Sequence, residues 1–243
     1  MRILLLTTSH TYRAEAFRAA ARKLDIEVVT AIDLPDELGQ PREAALTLDF
    51  REPDRAAQHI IAYAHDHPLA AILSVDDSAS LIAAEASAAL KLPHNSPQAA
   101  EAARNKFVMR TLLKQGGVCI PGFRLFSTAD DLAEVARQIN YPCVVKPLAL
   151  NGSRGVIRAD DANQFIAAAM RLSRLLHAID SSPEPKPFLV EDFIPGFEVA
   201  LEGLLDHGEL KVLALFDKPD PLDGPFFEET IYVTPSRLPP EQQ

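Results

Sequence analysis

Residues 141–155 read YPCVVKPLALNGSRG. Pro142, Cys143, Val144 and Val145 form a short apolar run with β-branched members, which suits a strand packed on both faces. Lys146 stands at the end of that run, where a lysine is costly to bury without an anionic partner. The loop that follows, from Leu148 to Gly155, carries Asn151, Gly152, Ser153 and Gly155. Glycines there let the backbone turn and aim N–H groups at an anion, as in phosphate-binding nests. A positive side chain beside a Gly/Ser loop points to a nucleoside triphosphate. The order is not that of a P-loop, because GxxxxGK[ST] occurs nowhere and the lysine precedes the loop. Taken alone, a Gly/Ser hairpin beside a solvated lysine reads the stretch equally well.

The bulk properties narrow the classes. A chain of 243 residues can hold one large or two smaller domains with real cores. With 47% hydrophobic and 24% charged residues it is expected to be globular and soluble. The net charge of −10 disfavours a nucleic-acid binder, which needs a basic surface. The apolar runs are far shorter than the roughly 20 residues of a membrane span, and Met1 to Thr8 is too brief for a signal peptide. Two cysteines, Cys119 and Cys143, form no CxxC and argue against a disulfide framework. A reducing, cytoplasmic setting is expected.

In chain order, Arg2–Thr8 reads as a strand, Tyr12–Leu24 as a helix and Ile26–Ile32 as a second strand. This βαβ opening implies a parallel sheet. The first turn, SHTYRAE, holds no glycine, so a dinucleotide fingerprint is absent. Asp33–Arg42 is expected as a loop, Asp54–His65 as a helix, Ala70–Val75 as a strand and Ala79–Leu90 as a helix. Asp76 and Asp77 lie where open α/β sheets place ligands. They are expected to cap the following helix, with substrate contact as the alternative. His59, His65 and His67 lack metal-ligand spacing and read as surface helix residues. Gln98–Gln115 is expected to be one helix that carries Lys106 and ends at Gly116-Gly117. Ser127–Ile139 reads as another helix, and Ala162–Ala178 as a third. The polar stretch Ser181–Lys186 is expected to mark a subdomain boundary. Pro187–Ile194 is a strand, and Phe197–Leu205 pairs with Glu209–Phe216 about the turn His207-Gly208. Alternation puts Glu198 and Glu202 on one face of that pair, facing water or a ligand.

The ordered set RNK, VVKP, NGSRGV, EDFIPGFEVALEG and FDK resembles the ATP-grasp superfamily. The tail FDKPDPLDGPFFEETIYVTPS is most similar to carboxylate–amine ligases, particularly L-amino acid ligases. The resemblance implies an α/β fold: a Rossmann-like pre-ATP-grasp domain over residues 1–95, then ATP-grasp α+β subdomains over 96–185 and 186–243, the last incomplete. It implies that Lys106 contacts a phosphate and that Lys146 reaches the α-phosphate and adenine side. Asn151, Gly152, Ser153 and Gly155 match the loop over the β- and γ-phosphates. Glu191, Phe193 and Ile194 match the hinge that holds adenine, Glu198 the acid on the ribose, and Lys218 a further phosphate contact. Glu229 and Tyr232 match substrate-contacting positions, with Tyr232 standing where dipeptide ligases are expected to carry histidine.

The resemblance implies ATP and Mg²⁺ as cofactors and small carboxylate and amine molecules as substrates. The expected chemistry is phosphoryl transfer to a carboxylate, then attack by the amine on the acylphosphate. No catalytic residue or metal ligand is assigned, since the family's metal-binding acids are expected beyond Gln243. The chain is therefore expected to be a fragment of a longer ligase, possible homodimer included, with natural truncation as the alternative. If the chain does end there, it reads as a nucleotide-binding module without catalysis. A biotin-carboxylase-like carboxylating enzyme is a further alternative. Apolar positions Leu201, Leu204, Val212 and Leu215 are expected to be left partly uncovered.

Overall fold

Leu4, Leu5 and Leu6 are fully buried, and the strand that carries them is the centre of the first sheet. The computed structural model describes residues 1–34, 45–227 and 230–243. Within these the chain forms two units, Met1–Arg104 and Asn105–Gln243.

The first unit alternates strands and helices. β1 (Arg2–Thr7), β2 (Glu27–Asp33), β3 (Leu46–Leu48) and β4 (Ala71–Ser74) pair in parallel in the order β3-β2-β1-β4. The helices are α1 (Ala14–Lys23), α2 (Pro53–Asp66), α3 (Ser80–Ala89) and α4 (Pro97–Arg104). Parallel pairing requires crossovers, and α1 and α2 supply them. Ile60 and Ile82 are fully buried against Leu4, Leu6 and Leu48. The parallel sheet expected from the βαβ opening is present. The expected loop Asp33–Arg42 lies mostly outside the described residues.

Asp76 does not cap a helix. Its carboxylate accepts from the Thr8 amide at 3.1 Å, the Thr8 hydroxyl at 3.0 Å and the Thr11 hydroxyl at 3.0 Å. These bonds tie the loop after β1 to the end of β4. The long-range donors satisfy the carboxylate more fully than one helical N–H would. His65 pairs with Asp66 and His67 stacks on Tyr63, with ring centroids 4.4 Å apart.

The second unit begins with α5 (Lys106–Gln115). The single helix expected over Gln98–Gln115 is broken at Asn105. That residue is extended, at φ −108° and ψ 106°, and its side chain accepts from the amides of Phe107 and Val108. An asparagine inside a helical pattern has here taken its preferred place as an N-cap. α4 packs on α3 and falls in the first unit.

β5 (Phe123–Ser127), β6 (Cys143–Pro147), β7 (Ile157–Ala159) and β8 (Pro187–Asp192) form an antiparallel sheet in the order β5-β8-β6-β7. α6 (Leu132–Ala136) is shorter than the helix expected from Ser127. β5 extends through Ser127 by pairing with Pro187, and Asp131 provides the cap. α7 (Ala162–Ile179) buries Phe165, Ala168, Ala169 and Leu172 against Cys143, Val145, Phe188 and Val190. The linker Ser181–Lys186 does not separate two sheets, because β8 returns to the middle of the first sheet, between β5 and β6. Pairing with both β5 and β6 gives its apolar residues two neighbouring strands.

β9 (Val199–Asp206) and β10 (Glu209–Asp217) form a separate antiparallel hairpin. Leu201, Leu204 and Val212 are exposed, as expected, while Leu215 is half-buried.

Candidate functional site

The pleat of β6 sets the site. Cys143 and Val145 join the core beneath α7, so Val144 and Lys146 face the other way. In the antiparallel register Val144 is opposite Glu191 and Lys146 opposite Leu189. Lys146 and Glu191 are therefore diagonal neighbours on one face, within reach of long side chains. The Lys146 ammonium donates to Glu191 Oε2 at 2.6 Å. α5 reaches the same face, where Phe107 meets Phe123 edge-on at 5.9 Å. Arg110 donates to Glu191 through Nε at 2.7 Å and through Nη2 at 3.3 Å.

Lys106 opens α5 beside the Gly/Ser loop. Its amide donates to the carbonyl of Leu148 at 3.0 Å, and its ammonium to the carbonyl of Leu150 at 2.6 Å. The loop then turns through Gly152 at φ +60°, Ser153 at φ +53° and Gly155 at φ +78°. The left-handed backbone at Ser153 costs energy that glycine would avoid. Asn151 closes the turn through its carbonyl, which accepts from the Arg154 amide at 3.4 Å.

Three cations thus gather around one buried carboxylate. Burial pushes the Glu191 carboxyl up, but the hydrogen bond from Arg110 and the charge and hydrogen bond of Lys146 outweigh it, so the net shift is downward. Burial pushes the Lys106 ammonium down, helped by the charges of Lys146 and Arg110 and opposed by Glu191. A protein with a net charge of −10 has placed an excess of positive charge at the mouth of a small-residue loop. The excess favours an anion with several charges in a small volume.

The hinge after β8 is ordered by backbone and ring contacts. Phe193 donates its amide to the carbonyl of Pro142 at 3.1 Å, and the Arg158 guanidinium lies 4.1 Å from its ring centroid. Ile194 is exposed. A second group assembles at the base of the β9–β10 hairpin. The Lys218 ammonium donates to Glu198 and stands 5.4 Å from the Tyr232 ring centroid. Tyr232 also meets Phe216 edge-on at 6.2 Å. Glu229 lies outside the described residues.

Of the predicted residues, Lys106, Lys146, Glu191 and the loop form one cluster and Glu198, Lys218 and Tyr232 another, while Phe193 and Ile194 lie in the segment after β8. Sequence reading missed Arg110 and Arg158. Arg110 is four residues after Lys106 on α5, hence on the same helix face, and that spacing was a readable signal. Arg158 had no such signal, since its partner Phe193 is brought near only by the strand pairing. Among the described residues no group of three His, Cys, Asp or Glu side chains is gathered as a metal site.

The family model described as the ATP-grasp domain matches residues 139–243, and that of the ATP-grasp N-terminal domain matches residues 17–94. The chain is 30% identical over 159 residues to an alanine–anticapsin ligase of Bacillus amyloliquefaciens, covering 58% of this chain and 32% of that protein. It is 26% identical over 255 residues to an ATP-grasp enzyme of Aspergillus fumigatus, covering 97% of this chain and 42% of that one. Less than half the length of either relative is thus spanned. Among solved structures, an L-amino acid ligase from Bacillus licheniformis superposes with a TM-score of 0.77 at 26% identity, over 99% of this chain and 58% of that one. The chain belongs to the ATP-grasp superfamily, and its relatives include carboxylate–amine ligases.

Proposed function

We propose that this chain is the ATP-binding portion of an ATP-dependent carboxylate–amine ligase. The observation that carries the reading is the set of Lys106, Arg110 and Lys146 around the single carboxylate of Glu191, beside a loop with three left-handed residues. In this reading Lys146 and Lys106 meet phosphate oxygens, and Ser153 and the amides from Asn151 to Gly155 donate to the outer phosphates. Both oxygens of Glu191 already accept from cations, so the adenine edge is left to backbone groups around Phe193 and Ile194. Glu198 accepts from the ribose hydroxyls. Lys218 is a further phosphate contact, and Glu229 and Tyr232 are assigned to substrate recognition.

The reaction proposed is the one that the superfamily resemblance implies, and the charge arrangement is compatible with it. A substrate carboxylate oxygen attacks the γ-phosphorus, the bond to the ADP oxygen breaks, and an acylphosphate forms. An amine then attacks the acyl carbon, a C–N bond forms and inorganic phosphate leaves. The cations act by positioning and by neutralising charge on the transferred group. We further propose a division into a pre-ATP-grasp domain and ATP-grasp subdomains, a cytoplasmic setting, and small-molecule substrates. No described helix is long and apolar enough to cross a membrane.

Calorimetric titration with ATP, with and without Mg²⁺, tests the reading on this chain and on Lys146→Ala. Loss of one charge-assisted contact is expected to weaken binding about tenfold. Equal affinity of the two proteins overturns it.

A further inference from the structure

Glu191 Oε1 is bonded to Arg110 Nε, while Oε2 is shared between Lys146 at 2.6 Å and Arg110 Nη2 at 3.3 Å. If Lys146 leaves, the carboxylate keeps two hydrogen bonds, both from one guanidinium. If Arg110 leaves, it keeps Lys146 alone. With 4% of its surface exposed, Glu191 cannot turn to water in either case. A buried carboxylate with a single cation holds that cation tightly or takes up a proton. Arg110 is suited to prevent this, because its planar fork engages both oxygens.

We propose that Arg110 is a positioning residue for the triphosphate: its two-point grip keeps Glu191 satisfied and charged while Lys146 turns from that carboxylate to a phosphate oxygen. The inference rests on the nucleotide reading of the site. Lys146 is held by Glu191 before the nucleotide arrives and exchanges one anion for another on binding. Arg110 does not touch the nucleotide and acts through Glu191. Among the described residues, the charged groups that face Glu191 are Lys106 and Arg110 from α5 and Lys146 from β6; β5 sets uncharged Phe123 opposite it. Burial already works against the charge on Glu191. Removing Arg110 leaves burial less opposed, so Glu191 protonates at higher pH and binds Lys146 harder above it.

Arg110→Met is expected to weaken ATP binding about tenfold at neutral pH, with affinity recovering as pH falls and Glu191 takes up a proton. Arg110→Met/Glu191→Gln is expected to restore neutral-pH affinity, since the neutral amide releases Lys146. Arg110→Lys, which lacks the fork, should fall between. A pH-independent loss that Glu191→Gln does not rescue would show a merely structural arginine and overturn the proposal. Amine acetylation of Lys146 in the unliganded full chain, read by mass spectrometry, is an independent measure. It should be slower in Arg110→Met than in wild type, and equal rates overturn the coupling. Failure of wild type to bind ATP overturns the nucleotide reading, while the acetylation rates still decide the coupling.

Discussion

The Lys106 ammonium donates to the backbone carbonyl of Leu150 at 2.6 Å, across 44 residues of sequence. With the amide bond from Lys106 to Leu148, it fixes the start of α5 to the Gly/Ser loop at two points. A charge-assisted bond to a backbone carbonyl, half removed from water, restrains the loop. Lys106→Met is expected to speed amide hydrogen exchange in residues 150–155 while leaving exchange in β6 unchanged. Unchanged loop exchange would show that the backbone bond alone suffices.

Asn105 caps α5 with two side-chain acceptor bonds. Asn105→Ala should cost about 1 kcal/mol in denaturant unfolding, and Asn105→Asp close to nothing. Equal losses in both variants would mean that the amide N–H₂, not the oxygen, carries the effect.

Two loop glycines should behave differently. A Cβ at Gly155 would meet Leu175 Cδ2 at 2.9 Å and Leu172 Cδ1 at 3.0 Å, on a backbone at φ +78°. Gly152, at φ +60°, has open space around it. Gly155→Ala is expected to cost about 2–4 kcal/mol through strain and crowding together. Gly152→Ala should cost about 1 kcal/mol from the backbone alone. Thermal unfolding of the pair gives the comparison.

The acid limb of stability has named sources. The hydrogen bond from Lys186 holds the Asp180 carboxyl down to about 2, from an ordinary 3.8, and that from Arg51 holds Asp49 down to about 2. Glu191 is shifted downward as well. A carboxyl whose folded value is depressed contributes stability above its unfolded value, and loses it as pH falls through the folded one. The unfolding midpoint in urea should therefore drop as pH goes from about 4 to about 2. Asp180→Asn should flatten that drop. An unchanged slope would show that the Lys186 pair contributes nothing to it.

Core and hairpin positions separate by burial. Phe165 is fully buried and Leu204 is 59% exposed. Phe165→Ala is expected to cost about 3–5 kcal/mol, and Leu204→Ala less than about 0.5 kcal/mol. A large loss at Leu204 would show that the hairpin is covered in solution.

Much was legible in the chain because it depends on neighbours in sequence. The apolar runs of β1, β2, β4 and β6, the turn His207-Gly208 and the period of α7 are local patterns, and each produced its element. The ordered motifs from Lys106 to Lys218 indicated the superfamily for the same reason. Some of what went unread was local, as with the Asn105 cap on Phe107 and Val108 and the spacing of Arg110 from Lys106, and the rest needed a partner distant in sequence. The start of α5 is also tied to the loop after β6, through Lys106 and the carbonyls of Leu148 and Leu150. Asp76 looks like a cap but is claimed by Thr8 and Thr11, 68 and 65 residues away.

By itself the sequence determined the α/β alternation, the two lysines and the Gly/Ser loop, since these follow from side-chain period and backbone freedom. Only the tertiary structure decided that Glu191 is a buried counterion gripped by Arg110 and Lys146. That role arises where antiparallel register sets Glu191 opposite Val144 and α5 lies over the same face. Charge pairing across 45 and 81 residues has no local signature, because it depends on which strands become neighbours.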